Sequence, residues 1–256
     1  VKILLTNDDG IHAPGLTTLA NILAPDFEIR VVAPDRERSA VSHAVTFRQS
    51  LHPERLEAPY PAYAVDGTPA DCVKLGVMAL LDARPDFLVS GINRGINVGN
   101  DVLYSGTVAG ALEGVLQGIP SVAVSLESIL HPVFEGPARF VKNLLAFLAH
   151  HPPPPGVALN VNLPDGDPRD YKGIRWTRQK GALFKDAYRE ETGPDGKTTY
   201  LLDGILQGRD ALEPGSDGLA VREGYVSVTP LGLEFFCREE PDAPLDGFPD
   251  IADLVD

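Results

Sequence analysis

Up to Leu163 the apolar positions fall into two alternating rhythms. Val1–Thr6, Phe27–Ala33, Ala62–Val65, Phe87–Ser90, Ser121–Leu126 and Val157–Leu163 are short, nearly continuous apolar runs. Such runs read as strands buried on both faces. Pro14–Leu23, Gly106–Leu116 and Phe134–Ala149 instead carry apolar residues at helical spacing, and Pro14 suits a first helical turn. Thr68-Pro69-Ala70-Asp71 is a helix start, with Thr68 as cap, Pro69 at the first position and Asp71 at the third; it predicts a helix to about Leu81. Strands alternating with helices predict an α/β fold: a mostly parallel sheet with helices on both faces. After Pro164 the rhythm changes. Residues 186–204 read as two strands around a Gly193-Pro194-Asp195-Gly196 turn, a long hairpin, and 224–232 as a further strand. The chain therefore divides into an α/β core, 1–163, and a β-rich C-terminal part, 164–256. A long hairpin that cannot bury itself points to packing on a partner subunit, so the second part is read as an oligomerisation element.

Charge narrows the partners. Asp and Glu number 36 against 22 Lys and Arg, a formal net charge of −14. That balance argues against a nucleic-acid polymer or an anionic membrane surface as partner, though not against a small anion in a local pocket. The stretch Glu239–Asp256 is acidic, holds no Lys or Arg, and reads as a solvated tail. Cys72 and Cys237 sit in apolar surroundings without a CxxC neighbour, as expected of core thiols in a cytoplasmic protein. No apolar stretch reaches the roughly 20 residues of a membrane span, and the chain opens on a strand with no leader pattern.

The chemistry gathers where strands end. Asp8 and Asp9 follow the first run directly. Adjacent carboxylates repel each other, and a divalent cation removes that repulsion; the alternative is an Asp-Gly turn. Ser39 and Asn93 also fall beyond strand ends, where open α/β sheets hold ligands. Residues 90–114 place glycines at 91, 95 and 99 before a helix opening at Tyr104-Ser105-Gly106-Thr107. Strand, glycine-rich loop and helix form an anion cradle, although the spacing matches neither GxGxxG nor GxxxxGK[ST]. Ser105 or Thr107 also suits a plain N-cap. His12 and His43 lie near these loops and are weak proton-transfer candidates.

The segments "TNDDGIHAPG", "VVAPDRERS", "GTPADCVKLG" and "SGINRGINVGNDVLYSGTVAGALEG" resemble the survival protein SurE family of metal-dependent 5′/3′-nucleotidases, over residues 1 to about 126. The resemblance implies a Rossmann-like core, a C-terminal part exchanged between subunits, and a homodimer or homotetramer. It implies one divalent cation on Asp8, Asp9, Ser39 and Asn93, with phosphate-side groups at Asn97, Ser105, Gly106 and Thr107. One loop departs: where the family often reads Ser-Gly-Ala-Ser-Asn, this chain has Ser39-Ala40-Val41-Ser42-His43. An all-oxygen ligand set suits Mg²⁺ or Mn²⁺ rather than zinc. The expected reaction is hydrolysis of nucleoside 5′- and 3′-monophosphates, with short polyphosphate left open as a further substrate. Two rivals stand beside it. A haloacid-dehalogenase-type phosphatase needs an Asp-x-Asp spacing that adjacent Asp8 and Asp9 do not provide. A nucleotide-sensing module would bind without turnover.

Overall fold

A computed structural model describes residues 1–233; Cys237 and the acidic stretch lie outside the described residues. In chain order the elements are β1 (Lys2–Thr6), α1 (Pro14–Leu23), β2 (Glu28–Pro34), β3 (Pro53–Leu56), β4 (Ala62–Val65), α2 (Pro69–Leu75), β5 (Phe87–Arg94), α3 (Gly106–Leu116), β6 (Ser121–Leu126), α4 (Glu135–Leu148) and β7 (Val157–Leu163). There follow β8 (Ile174–Trp176), β9 (Phe184–Thr192), β10 (Thr198–Leu206), α5 (Asp217–Arg222) and β11 (Val226–Gly232). Nine strands form one sheet in the order β3-β4-β2-β1-β5-β6-β7-β11-β8, and β9 and β10 form a separate hairpin. The strands from β4 to β7 in that order run parallel; β3 opposes β4, and β11 opposes β7.

The α/β reading of the sequence holds, with differences at particular elements. Thr68 caps α2 by accepting from the Asp71 N–H, and the Asp71 side chain accepts from the Thr68 N–H in return. The helix then leaves α geometry early, passing into a wider turn over Gly76–Leu80. β5 runs four residues past its apolar block, to Arg94, with a register irregularity between Ser90 and Asn93. Asn93 therefore sits within the end of a strand rather than in the loop after it. Strands β3 and β8 and helix α5 were not legible as apolar patterns, because β3 and β8 are exposed edge strands and α5 is very short. The C-terminal part also shares the main sheet, since β11 pairs with β7.

Two apolar layers flank the sheet. One holds α1 and α4 through Leu16, Leu19, Leu23, Val141 and Leu145; the other holds α2 and α3 through Cys72, Val73, Val108, Ala111 and Val115. The crossover β1–α1–β2 steps along the sheet in one direction, on the first face. The crossovers through α2 and α3 step in the other direction on the opposite face, so all three share one hand. The β6–α4–β7 crossover steps the same way as α3 yet lies on the face of α1. It has the opposite hand to the rest, against the strong general preference for one hand. In consequence the loop before α4 reaches the start of α1.

Helix α3 approaches the sheet through glycines. Gly106, Gly110 and Gly114 are four apart and line one face. A Cβ on Gly110 would stand 2.8 Å from the Ser90 Oγ, and one on Gly106 2.8 Å from the Asp8 Cβ. No larger residue permits so close a contact between helix start and strand end.

Candidate metal centre and anion cradle

Strand β1 lies between β2 and β5, which the chain reaches in opposite directions. Strand order reverses here, and the crevice beyond such a point is where open α/β sheets bind ligands. Asp8 and Asp9 follow β1 into that crevice. The loop closes on itself: the Asn7 Nδ2 donates to the Gly10 carbonyl (2.9 Å), and the Gly10 N–H donates to the Asn7 Oδ1 (3.2 Å). Gly10 has φ 100° and passes so near the Arg36 backbone that a Cβ would stand 3.0 Å away.

Three further segments converge on the pair. The Arg38 N–H donates to the Asp8 carbonyl at 2.7 Å, which docks the Ser39 loop. The Arg94 N–H donates to the Asp9 Oδ2 at 3.3 Å, which fixes the end of β5 next to Asn93. The Thr107 hydroxyl donates to the Asp8 Oδ1 from the first turn of α3. Asp8 is buried. Loss of water pushes its carboxyl up to about 6, the Asp9 charge adds to the rise, and the Thr107 hydrogen bond opposes it. Burial also raises Asp9; the Arg94 amide and guanidinium work against this, and the Glu37 charge works with it.

The donors present suit a hard cation. The Ser39 hydroxyl donates to the Glu37 Oε1 (2.6 Å) and the Asn93 Nδ2 donates to the Gly95 carbonyl (2.7 Å). Each residue thus keeps an oxygen with lone pairs. With the two carboxylates they would make an oxygen-only set, which suits a hard divalent cation. Among the described residues no group of three or more His, Cys, Asp or Glu has metal-binding geometry. A cation here would rely on the hydroxyl and the amide as well as the carboxylates.

The other sequence candidates are placed as follows. Ser105 caps α3, its Oγ accepting from the Val108 N–H at 3.1 Å, and Gly106 packs on Asp8. The Thr107 hydroxyl serves Asp8 directly. Asn97 is buried and donates its Nδ2 to the Ser125 Oγ at 2.8 Å, so one of its amide hydrogens is committed to the sheet. His43 turns to α3, 3.1 Å from the Glu113 Oε2. Glu113 also receives Lys74 and Gln117; burial alone would raise its carboxyl, but the hydrogen bonds from His43, Gln117 and Lys74 bring it below the ordinary value. His12 is exposed beside α1.

Several residues escaped the sequence reading. Asn160 and Asn162 of β7 both donate to the Asn97 carbonyl, at 2.8 and 3.1 Å, and the Asn162 Oδ1 accepts from the Asn97 N–H at 2.8 Å. Buried Asp217, at the start of α5, accepts from the Gly99 N–H at 2.9 Å. These amides and this carboxylate grip the glycine-rich loop from behind. The available signal was the pair of Asn two apart inside an apolar strand, Asn160-Val161-Asn162. Two buried amides on one strand face need partners.

Fold and site together define a Rossmann-like α/β protein with a carboxylate pair at the switch point of its sheet and a glycine-rich loop and helix start packed beside it. The family model described as "Survival protein SurE" matches residues 3–186. A protein of Thermosipho africanus named "5'-nucleotidase SurE" is 43% identical over 242 residues, covering 94% of each chain. One of Desulfatibacillum aliphaticivorans with the same name is 46% identical over 233 residues, covering 90% of this chain and 92% of its own. The crystal structure of the SurE protein from Aquifex aeolicus superposes with a TM-score of 0.84 at 38% identity, covering 94% of this chain and 97% of the other. The chain belongs to the survival protein SurE family.

Proposed function

We propose that this chain is a divalent-metal-dependent nucleotidase that hydrolyses nucleoside 5′- and 3′-monophosphates to nucleoside and phosphate. The observation that carries the reading is the carboxylate pair of buried Asp8 and half-buried Asp9 at the switch point, with the start of α3 packed against it. The relatives named 5'-nucleotidase SurE support the substrate class. Asp8, Asp9, Ser39 and Asn93 would hold the cation, Mg²⁺ or Mn²⁺. The chemistry supplied there would be neutralisation of the pair, polarisation of a phosphoryl group and acidification of a water molecule. Thr107 fixes the Asp8 carboxylate by hydrogen bond. The first turn of α3 at Gly106 and Thr107 offers backbone N–H groups to the phosphate, and the helix dipole adds to their pull; Asn97, whose own N–H is held by Asn162, would contribute only its side-chain amide. Ser105 keeps that turn in shape by capping it.

The exposed hairpin supports a homo-oligomer, dimer or tetramer. Tyr188, Tyr200, Leu202 and Ile205 are all solvent-exposed on β9 and β10, an apolar surface that a second copy would cover. No helix among the described residues is long and apolar enough to cross a membrane. Cys72 is a buried free thiol, which suits the reducing cytoplasm.

Incubation with AMP and Mn²⁺ tests the reading. Phosphate release that EDTA abolishes, and that Mn²⁺ or Mg²⁺ restores, is the expected result. Binding of AMP without phosphate release would make the protein a sensing module instead.

A further inference from the structure

A cavity of about 200 Å³ opens directly beside the carboxylate pair. Asp9 and Arg94 form its polar side; Pro14, Ile129, Leu130 and Phe134 are among its apolar walls. We propose that this cavity receives the nucleoside half of the substrate and sets a preference for nucleoside monophosphates over sugar phosphates. The proposal rests on the nucleotidase reading and deepens it.

Three observations meet here. First, the cavity shares a wall with the proposed metal centre. Asp9 is a candidate ligand and also lines the cavity, and the Arg94 N–H holds the Asp9 carboxylate. A group esterified to a phosphate at Asp8–Asp9 therefore lies within reach of the cavity. Second, the wall has the chemistry of a nucleoside. A flat base presents apolar faces, which Ile129, Leu130 and Phe134 match; a ribose presents hydroxyls, which Asp9 and Arg94 match. Ile129 and Leu130 are 56% and 86% exposed, and a bound base would cover apolar surface that now faces water. The volume lies below the roughly 300–1,000 Å³ of pockets for larger ligands, so one nucleoside is the fitting occupant rather than a dinucleotide. Third, the cavity exists because of the opposite-handed crossover. With α4 on the face of α1, the loop before α4 lies over the start of that helix: a Cβ on Gly15 of α1 would stand 3.2 Å from the Phe134 ring, and Ile129 packs on Gly95. With the usual hand that loop would lie on the far face, and the wall made by Ile129, Leu130 and Phe134 would be missing.

The test uses the full-length, metal-loaded enzyme and the double variant Ile129→Ser/Leu130→Ser. Both residues are surface-exposed, so the fold is retained, and Leu130→Met serves as the conservative control. Steady-state kinetics are measured with AMP and with ribose 5-phosphate. Adenosine binding is measured separately by calorimetry on the same metal-loaded enzyme. The ratio of kcat/KM for AMP to that for ribose 5-phosphate should fall about fivefold to thirtyfold. The change should sit in KM for AMP, and adenosine affinity should fall by the same factor. Leu130→Met alone should keep most of the wild-type ratio. An unchanged ratio overturns the proposal while the nucleotidase reading stands. So does a wild-type enzyme that turns over AMP but binds no adenosine, or a variant whose only change is its oligomeric state, which would assign the patch to a second copy. A wild-type protein that releases phosphate from no nucleotide overturns both.

Discussion

Asp8 is a carboxylate placed where it is least comfortable without a cation. Its folded value of about 6 lies above the ordinary 3.8. The native state therefore holds the proton more tightly than the unfolded chain. In the metal-free protein the stability contributed by protonated Asp8 is complete below about pH 3.8 and lost as pH rises to about 6, a loss on the order of 3 kcal/mol. Asp8→Asn should flatten this fall in pH-dependent denaturant titrations of metal-free protein, while lowering kcat/KM at least about a hundredfold. A metal-free variant less stable than wild type at pH 7 would instead give the carboxylate a structural role. Thr107 belongs to the same account. Its hydroxyl is spent on Asp8, so Thr107→Val should raise the Asp8 carboxyl further. Turnover should drop roughly tenfold to a hundredfold, and Mn²⁺ affinity should weaken near neutral pH and recover at higher pH. Metal affinity unchanged at every pH would show that the hydroxyl acts on the phosphate alone.

Among the elements, α3 does the most to shape the site. Its glycine face allows the helix start to touch Asp8, and its N-cap and first turn supply the proposed anion cradle. Gly110→Ala would set a methyl group 2.8 Å from the Ser90 Oγ and 3.1 Å from the Thr6 Cγ2. Overpacking of this kind costs about 1–3 kcal/mol, and Ser90→Ala in the same chain should recover part of it. A melting temperature equal to wild type would mean that the helix can lift without loss. Behind the cradle stands β7. Asn162→Leu removes two of the three hydrogen bonds from β7 to the Asn97 backbone and leaves that N–H buried without a partner. Phosphate affinity, read as inhibition by inorganic phosphate, should weaken while Mn²⁺ affinity changes little. Weakening of both together would mean that the loop also sets the metal centre.

At the scale of the whole molecule, the nine-stranded sheet is self-sufficient and the hairpin is not. β10 is exposed along its whole length, and two strands alone are marginal in water. Replacing Tyr200 and Ile205 with Ser should shift sedimentation toward the monomer and lower the melting temperature in a concentration-dependent way. A wild-type chain that sediments as a monomer at micromolar concentration would contradict assembly through this surface.

The sequence by itself determined the alternation of strand and helix, the cap of α2, the hairpin turn and the adjacency of Asp8 and Asp9. These follow from local periodicity, from cap and turn chemistry, and from covalent neighbourhood, which act over a few residues. Only the tertiary structure decided what those residues face. Nothing local told that Thr107 would serve Asp8, that Asn97 would be held from β7 by Asn160 and Asn162, or that Asp217 would grip Gly99. Each pairing joins residues far apart in the chain, and each depends on sheet order and on the face a helix takes. The hand of the β6–α4–β7 crossover belongs to the same class. The apolar stripe of α4 fits either face of the sheet equally well, and only its packing against α1 settled which face it covers.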